Sequence, residues 1–369
     1  MSRILLVSYY YPPYPYGGAL RFKSLFRHLK EKKHDVKLLT AGKEGYDERE
    51  KIIYVEDSFK RDEIKRGRGF LRSINPLPDT MIKWSWNVCM FIENNYDEYD
   101  RIVITAPPFS LPMFLSIRHS KEYLSKFILD VRDILYNGAL RDYRMFFPKI
   151  TDKKIERKIF EKFSTFTTNV NHQAHLLHKR YEVNVEVVLN NYDDEYNAKT
   201  VDIKHPAFVY TGKIDKIRFN EEMFLGFNEY LKTHEGFIYI AGEDNDSLLK
   251  KYLSKNIIYL KTLSREASED LIYSADGGLM MHSFDIKDSK SVFSYKITDY
   301  SKYGKPIIYV GPKTEASKFI SEKNIGICVN KKETNKIAEA FVLLYQNRDK
   351  FGNSQKYFDK PFINSILDL

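Results

Sequence analysis

Two cysteines in 369 residues, Cys89 and Cys328, both in apolar segments and far apart, are too few for a disulfide framework. A reducing compartment is the expectation. No apolar run approaches the roughly 18 residues that a membrane-spanning helix needs. Met1-Ser-Arg is followed by only the short run Ile4-Leu-Leu-Val7, which is no secretory leader, so the expected location is the cytoplasm. Internal repeats and low-complexity tracts are also missing. So is a G-x-G-x-x-G after Val7, and Leu39-Thr40-Ala41 closes the second apolar run without an acid, which removes the usual signature of a nicotinamide enzyme.

Apolar and aromatic residues are plentiful: 43% of the chain is hydrophobic, with 25 Phe and 27 Tyr, which excludes a disordered chain. The length suits two domains of roughly 150 to 200 residues each. A formal charge of +9 points to nucleic acid, an anionic membrane surface or an acidic substrate. Much of that excess is local: Lys60, Arg61, Lys65, Arg66, Arg68 and Arg72 surround Gly67, Gly69, Phe70 and Leu71. Such a run lies on anionic lipid, at about 1 kcal/mol per cation, or forms a solvated loop. Nucleic acid fits less well, because the cations sit in one loop and no recognised motif accompanies them.

Apolar runs alternate with helical patterns along the whole chain. Ile4-Leu-Leu-Val7 predicts a buried parallel strand, Ser8 to Gly18 a loop, Phe22, Leu25, Phe26 and Leu29 a helix face, and Val36 to Leu39 the next strand. Strands are further expected at 102–105, 127–130, 166–168 and 185–189, then at 208–210, 237–240, 257–260, 278–281, 307–310 and 326–329. The polar stretch Asn190 to His205 reads as a hinge. The expected class is α/β with two doubly wound domains, residues 1–195 and 206–345, facing a central cleft. Residues 351–369 are expected to return as an amphipathic helix to the first domain.

Several residues carry chemistry. Ser291 to Pro306 reads as a loop, a short helix bearing Asp299, and a Gly304 stop before the buried run Ile307-Ile-Tyr-Val310. An open helix start binds anions through its N–H groups, and a carboxylate one turn in accepts from a ribose diol. Gly17 and Gly18, placed after the first strand, serve either a tight turn or the approach of a phosphate or sugar to the next helix. Asp130, Arg132 and Asp133 end a buried strand, where unpartnered charge is costly; they contact a reacting hydroxyl or brace a loop. His172, His175 and His178 share a helical face, but companion ligands at metal-binding spacing are lacking, so no metal site is expected.

Together these stretches resemble a known family. Tyr9-Tyr-Tyr-Pro-Pro-Tyr-Pro-Tyr-Gly-Gly18, with Arg21 and His34-Asp-Val36, is similar to the opening of the retaining glycosyltransferases of family 4, which have the two-domain GT-B fold. Pro78-Asp79 with Trp84, Ala106-Pro-Pro-Phe109 and Leu129-Asp-Val-Arg-Asp133 resemble a subgroup that builds bacterial capsule, O-antigen or exopolysaccharide. Tyr210-Thr-Gly-Lys213, Ala241-Gly-Glu243, Ser274-Ala-Asp-Gly277 and Lys296 to Pro306 extend the resemblance over most of the chain.

The resemblance implies a metal-independent enzyme with no cofactor. Its co-substrate would be a nucleotide diphosphate sugar, and its acceptor a saccharide or lipid-linked saccharide. Asp130, Arg132 and Asp133 would serve the reacting centre. Gly17, Gly18, Lys213, Arg218, Ser294, Lys296 and Asp299 would hold the donor, with Lys213 and Arg218 on the diphosphate and Asp299 on the ribose. Ser291 stands where the family places the first Glu of an E-x7-E motif. The basic segment 60–86 would face an anionic membrane, making the enzyme peripheral on the inner face, and no nucleic acid is expected. The same fold also serves sugar-nucleotide epimerases, which would form product without an acceptor.

Overall fold

In the computed structural model of this chain, the described residues are 1–12, 14, 17–57, 76–138, 143, 145–192, 196–285, 293–352 and 354–358. Ser291 and the whole basic run 60–72 therefore lie outside them. Two compact units emerge, Met1–Leu189 and Asn190–Asp359.

The first unit is a parallel sheet with helices on both faces. It runs β1 (Arg3–Val7), α1 (Gly17–Glu31), β2 (Asp35–Ala41), β3 (Gly45–Asp47), β4 (Ile52–Val55), α2 (Ile82–Asn94), β5 (Arg101–Ala106), α3 (Ser110–Arg118), β6 (Phe127–Val131), α4 (Phe146–Lys162), β7 (Thr165–Thr168), α5 (Asn171–Tyr181) and β8 (Glu186–Val187). The strand order is β3-β4-β2-β1-β5-β6-β7-β8, with β3 antiparallel on β4. Burial on both faces explains why β1 is an unbroken apolar run rather than an alternating one. Ile4 and Leu6 join Phe22, Leu25, Phe26 and Leu29 of α1 in one core, while Leu5 and Val7 join Trp84, Val88 and Ile104 in the other. Strands β3 and β4 were not expected. Ile52-Ile-Tyr-Val55 is a short run flanked by charged residues, and only its pairing with β2 reveals it.

The second unit runs β9 (Ala207–Thr211), α6 (Glu221–Tyr230), β10 (Phe237–Ala241), β11 (Ile257–Tyr259), α7 (Arg265–Ser274), β12 (Gly277–Met281), α8 (Lys296–Lys302), β13 (Ile307–Val310), α9 (Glu315–Glu322), β14 (Gly326–Val329) and α10 (Thr334–Gln346). The order is β11-β10-β9-β12-β13-β14, all parallel. Phe208, Phe224, Phe227 and Phe341 pack at its centre. In each sheet the chain leaves the first strand in one direction and later returns to its other side, at β1/β5 and at β9/β12. Loops at the carboxyl ends of strands flanking such a reversal are where open α/β sheets bind ligands.

Two stretches lie elsewhere than the sequence suggests. Residues 196–205 are held on the second unit rather than bridging freely: Lys199 N donates to Asp270 Oδ1 (2.6 Å), Val201 N to Ser274 Oγ (2.8 Å) and Lys204 N to the Tyr239 hydroxyl (2.9 Å). Phe351 packs on the second core, and the Tyr357 and Phe358 rings meet Phe319, so 351–358 belongs to the second unit. The rest of the expected C-terminal helix, 359–369, falls outside the described residues.

Candidate functional site

In the first unit, the loops after β1 and β6 converge on the start of α1. A Cβ on Gly18 would lie 1.4 Å from a terminal nitrogen of Arg132, so only glycine lets that guanidinium sit against the helix start. Arg132 Nε donates to Thr105 Oγ1 (2.9 Å), which fixes its direction. Burial is the main cause that lowers its pKa, opposed by Asp130 and Asp133. The first turn of α1 holds no acid. A helix start and a desolvated guanidinium together favour an anion. Asp133 follows Arg132 immediately beyond β6.

Asp130 has a different task from the one the sequence suggests. Its side chain is fully buried, and both oxygens accept from Arg21, with Nη2···Oδ1 2.8 Å and Nε···Oδ2 3.0 Å. Thr167 Oγ1 donates to it as well (2.8 Å). Arg21 in turn donates to the carbonyls of Val188 and Leu189. The pair braces α1, β6, β7 and the end of the last strand. Asp79 is also structural: it accepts from the backbone N (2.8 Å) and Oγ (2.6 Å) of Ser110, fastening the start of α3. That places the Pro78-Asp79 and Ala106-Pro-Pro-Phe109 stretches together.

In the second unit the carboxyl ends of β9, β10, β12 and β13 meet around glycine. Gly212 has φ +121° and Gly242 φ +150°, and a Cβ on Gly242 would fall 2.0 Å from the Gly212 carbonyl oxygen. The Lys296 amine lies beside Gly212, 3.0 Å from where its Cβ would be, and 4.8 Å from the centre of the Tyr210 ring. Lys296 makes no ion pair among the described residues. Burial, then the nearby Arg218, lowers its pKa to about 8. His282, directly after β12, is pushed to about 3 by burial and by Lys296 and Arg218, and its Nδ1 is buried without a hydrogen-bond partner among the described residues. Lys296 and Arg218 both work against protonation of His282, and Arg218 against that of Lys296, an arrangement that favours an anion. Arg218 is tied to Asp215 by its guanidinium and backbone. Lys213 is exposed, and its carbonyl accepts from the Tyr210 hydroxyl (3.0 Å).

The start of α8 is not open as expected. Ile297 N donates to Ser294 O (3.3 Å), and Thr298 N and Asp299 N donate to Tyr295 O (2.9 and 3.2 Å). Ser294 Oγ accepts from Lys296 N at 3.4 Å. These N–H groups are spent within the turn, which leaves the buried Lys296 amine as the positive group beside Gly212. Asp299 is also committed: Arg265 donates to both its oxygens, at 2.5 and 3.1 Å. Arg265 Nε also reaches Glu269 (2.7 Å), which accepts from Lys302 Nζ (2.6 Å) and from the Tyr303 hydroxyl. Nothing in the sequence singles out Arg265, which is 34 residues from its partner; His282 is readable only as the residue that closes a strand.

Among the described residues, one trio brings metal-ligand atoms within 4.8 Å: Cys89, Glu93 and His119. The expected histidine face, 172, 175 and 178, does not. Arg118 occupies both Glu93 oxygens, and burial with the neighbouring carboxylate pushes the Cys89 thiol up to about 12. Cys89 Sγ and His119 Nε2 both meet Glu93 Oε1, at 3.6 and 2.7 Å, so the trio forms a hydrogen-bonded cluster.

No family model matches the chain, and no curated protein matches its sequence. Solved structures do match over the full length. Sucrose-phosphate synthase from Thermosynechococcus elongatus superposes with a TM-score of 0.67 at 12% identity, covering 100% of this chain and 96% of that one. WaaG, a glycosyltransferase involved in lipopolysaccharide biosynthesis, gives 0.63 at 16% identity, covering 99% and 97%. The chain has the GT-B fold. Anabaena HepE in complex with UDP is another GT-B neighbour, at 0.63 and 11% identity over 100% of this chain and 97% of that one. Within the GT-B frame, both groups of residues described above lie where a parallel α/β sheet presents ligands. No helix among the described residues is long and apolar enough to cross a membrane.

Proposed function

We propose that the protein is a retaining, metal-independent glycosyltransferase. It would move a sugar, hexose or related, from a nucleotide diphosphate sugar to a saccharide or lipid-linked saccharide. The setting would be bacterial capsule, O-antigen or exopolysaccharide synthesis at the inner face of the membrane. The observation that carries this reading is the set of Lys296, Arg218 and His282 around Gly212, at the chain reversal of the second sheet. Negative charge grows on the departing diphosphate as the sugar gains positive charge, so a fixed ammonium and guanidinium stabilise the transition state more than the ground state. The charged Lys296 and Arg218 would neutralise the leaving group directly, without a divalent cation.

The missing Cβ of Gly212 makes room for the Lys296 amine and that of Gly242 for the Gly212 carbonyl, and Ser294 and Lys213 would flank a phosphate held there. Asp299 retains a second lone pair on each oxygen, so a ribose diol can share it with Arg265. In the first unit, Gly17, Gly18, Arg132 and Asp133 would bind the reacting end of the substrates, while Asp130 holds that group in place through Arg21. The basic segment 60–86 would rest on anionic membrane. Support for a nucleotide donor also comes from the HepE neighbour, solved with UDP.

The test is a panel of nucleotides and nucleotide sugars in thermal unfolding, followed by turnover with UDP- and GDP-sugars. A true ligand at 100 times its dissociation constant stabilises by about 2.7 kcal/mol. Lys296→Met should abolish that gain. If no nucleotide stabilises the protein and none is turned over with any saccharide acceptor, the reading fails; product formed without an acceptor would indicate an epimerase.

A further inference from the structure

Cys89, Glu93 and His119 form a group that the transfer chemistry does not use. Cys89 and Glu93 stand four residues apart on one face of α2, and His119 directly follows α3, so the trio sits where both helices end, ahead of the amino ends of β5 and β6. The loops that bind ligands in such a sheet lie at the opposite, carboxyl rim. Three side chains of different chemistry here bring one ligand atom each to a common point, all within 4.8 Å of one another. Each is held in place. Cys89 is wholly buried in the core that contains Trp84, Val88 and Ile92. His119 N donates to Leu115 O (3.1 Å), and its ring stacks on Tyr123 with centroids 3.9 Å apart. Glu93 and His119 are half-buried, which leaves the point open to an ion from solvent.

The hydrogen bonding at that point is crowded. Arg118 Nε (2.6 Å), His119 Nε2 (2.7 Å) and Cys89 Sγ (3.6 Å) all converge on Glu93 Oε1, three donors for an oxygen with two lone pairs. A cation among the three side chains removes the conflict: the thiol gives its proton to solvent, the imidazole carries its single proton on Nδ1, and Oε1 keeps one lone pair for Arg118. Arg118 Nη2 stays on Oε2 (2.9 Å), the outer hydrogen bond that a metal-ligating carboxylate ordinarily has. Zinc bonds of about 2.3 Å to sulfur and about 2.0 to 2.1 Å to nitrogen and oxygen, at tetrahedral angles, set S···O about 3.5 Å and N···O about 3.3 Å apart. Cys89 and Glu93 already match, and the imidazole has to withdraw from Glu93 by about 0.6 Å. A thiolate, an imidazole and one carboxylate oxygen suit zinc, while magnesium and calcium need more oxygens. We propose that Cys89, Glu93 and His119 bind a zinc ion that ties the end of α2 to the end of α3. The site takes no part in the transfer and stands whether or not the transferase reading does.

Cobalt(II) is the probe, because it enters tetrahedral zinc sites and, unlike zinc, shows a thiolate charge-transfer band and strong visible bands. The full chain, stripped with a chelator and dialysed, should develop both with equimolar cobalt and lose them when zinc is added. Cys89→Ser should remove the charge-transfer band although Cys328 remains, and His119→Gln should weaken cobalt binding by about tenfold or more. Zinc should also raise the melting temperature of the wild type and leave that of Cys89→Ser unchanged. Circular dichroism checks that each variant is folded, and the half-buried His119 gives a second variant should Cys89→Ser not fold. The proposal is overturned if equimolar cobalt gives no charge-transfer band in the wild type. It is equally overturned if that band persists at wild-type affinity in folded Cys89→Ser or His119→Gln.

Discussion

Lys296 shows how one side chain's burial sets the behaviour of a site. Its folded pKa lies near 8 and its ordinary value is 10.5, so the native protein binds fewer protons than the unfolded chain between those values. Stability should therefore rise as pH increases from about 8 to 10.5, while affinity for a diphosphate falls over the same range, because the amine must be charged to hold it. Lys296→Met should remove both trends, read by urea denaturation and by nucleotide titration across pH. His282, held near 3, stays neutral throughout and contributes no slope there. Gly18→Ala should displace the Arg132 guanidinium and reduce turnover at least tenfold, with little change in unfolding free energy. Arg21→Ala, in contrast, strands a fully buried Asp130 and should cost about 3 to 5 kcal/mol in denaturant unfolding. A variant series on these residues thus separates ligand loss from loss of the fold.

Helices α7 and α8 are joined by charge as well as packing: Arg265 spans Asp299 and Glu269, and Glu269 also takes Lys302. Arg265 is one-third exposed, so Asp299→Asn should cost less than a fully buried pair, about 2 kcal/mol. Any drop in nucleotide affinity in that variant must be measured at temperatures where it remains folded. Ser264 caps α7 by accepting from Ala267 N at 3.1 Å, and Ser264→Ala should cost about 1 kcal/mol in the same denaturation assay. At this scale the strands were the most legible part of the chain, since Ile4–Val7 and Ile307–Val310 are apolar on both faces. Strands β3 and β4 were not, because a short edge run shows itself only through its partner. The start of α8 was misread for a similar reason: whether an N–H is open depends on the turn before it, and Ser294 and Tyr295 close that turn with their carbonyls. Asp299 and Asp130 were recognised as unusual, yet the arginines that hold them are 34 and 109 residues away, a distance no local pattern encodes.

Across the whole molecule the same winding is built twice, and each sheet reverses beside its first strand. The duplication made the architecture readable at 11 to 16% identity to its structural neighbours, where residue-by-residue correspondence fails. The two units divide the chemistry. The first holds a helix start against Arg132, and in the second burial and the neighbouring Arg218 repel the Lys296 proton. That repulsion has a calorimetric consequence. An anion arriving beside Lys296 restores the amine's affinity for its proton, so near pH 8 each binding event should take up a fraction of a proton from solution. The heat of nucleotide binding should therefore differ between phosphate and Tris, in proportion to the ionisation enthalpy of each buffer.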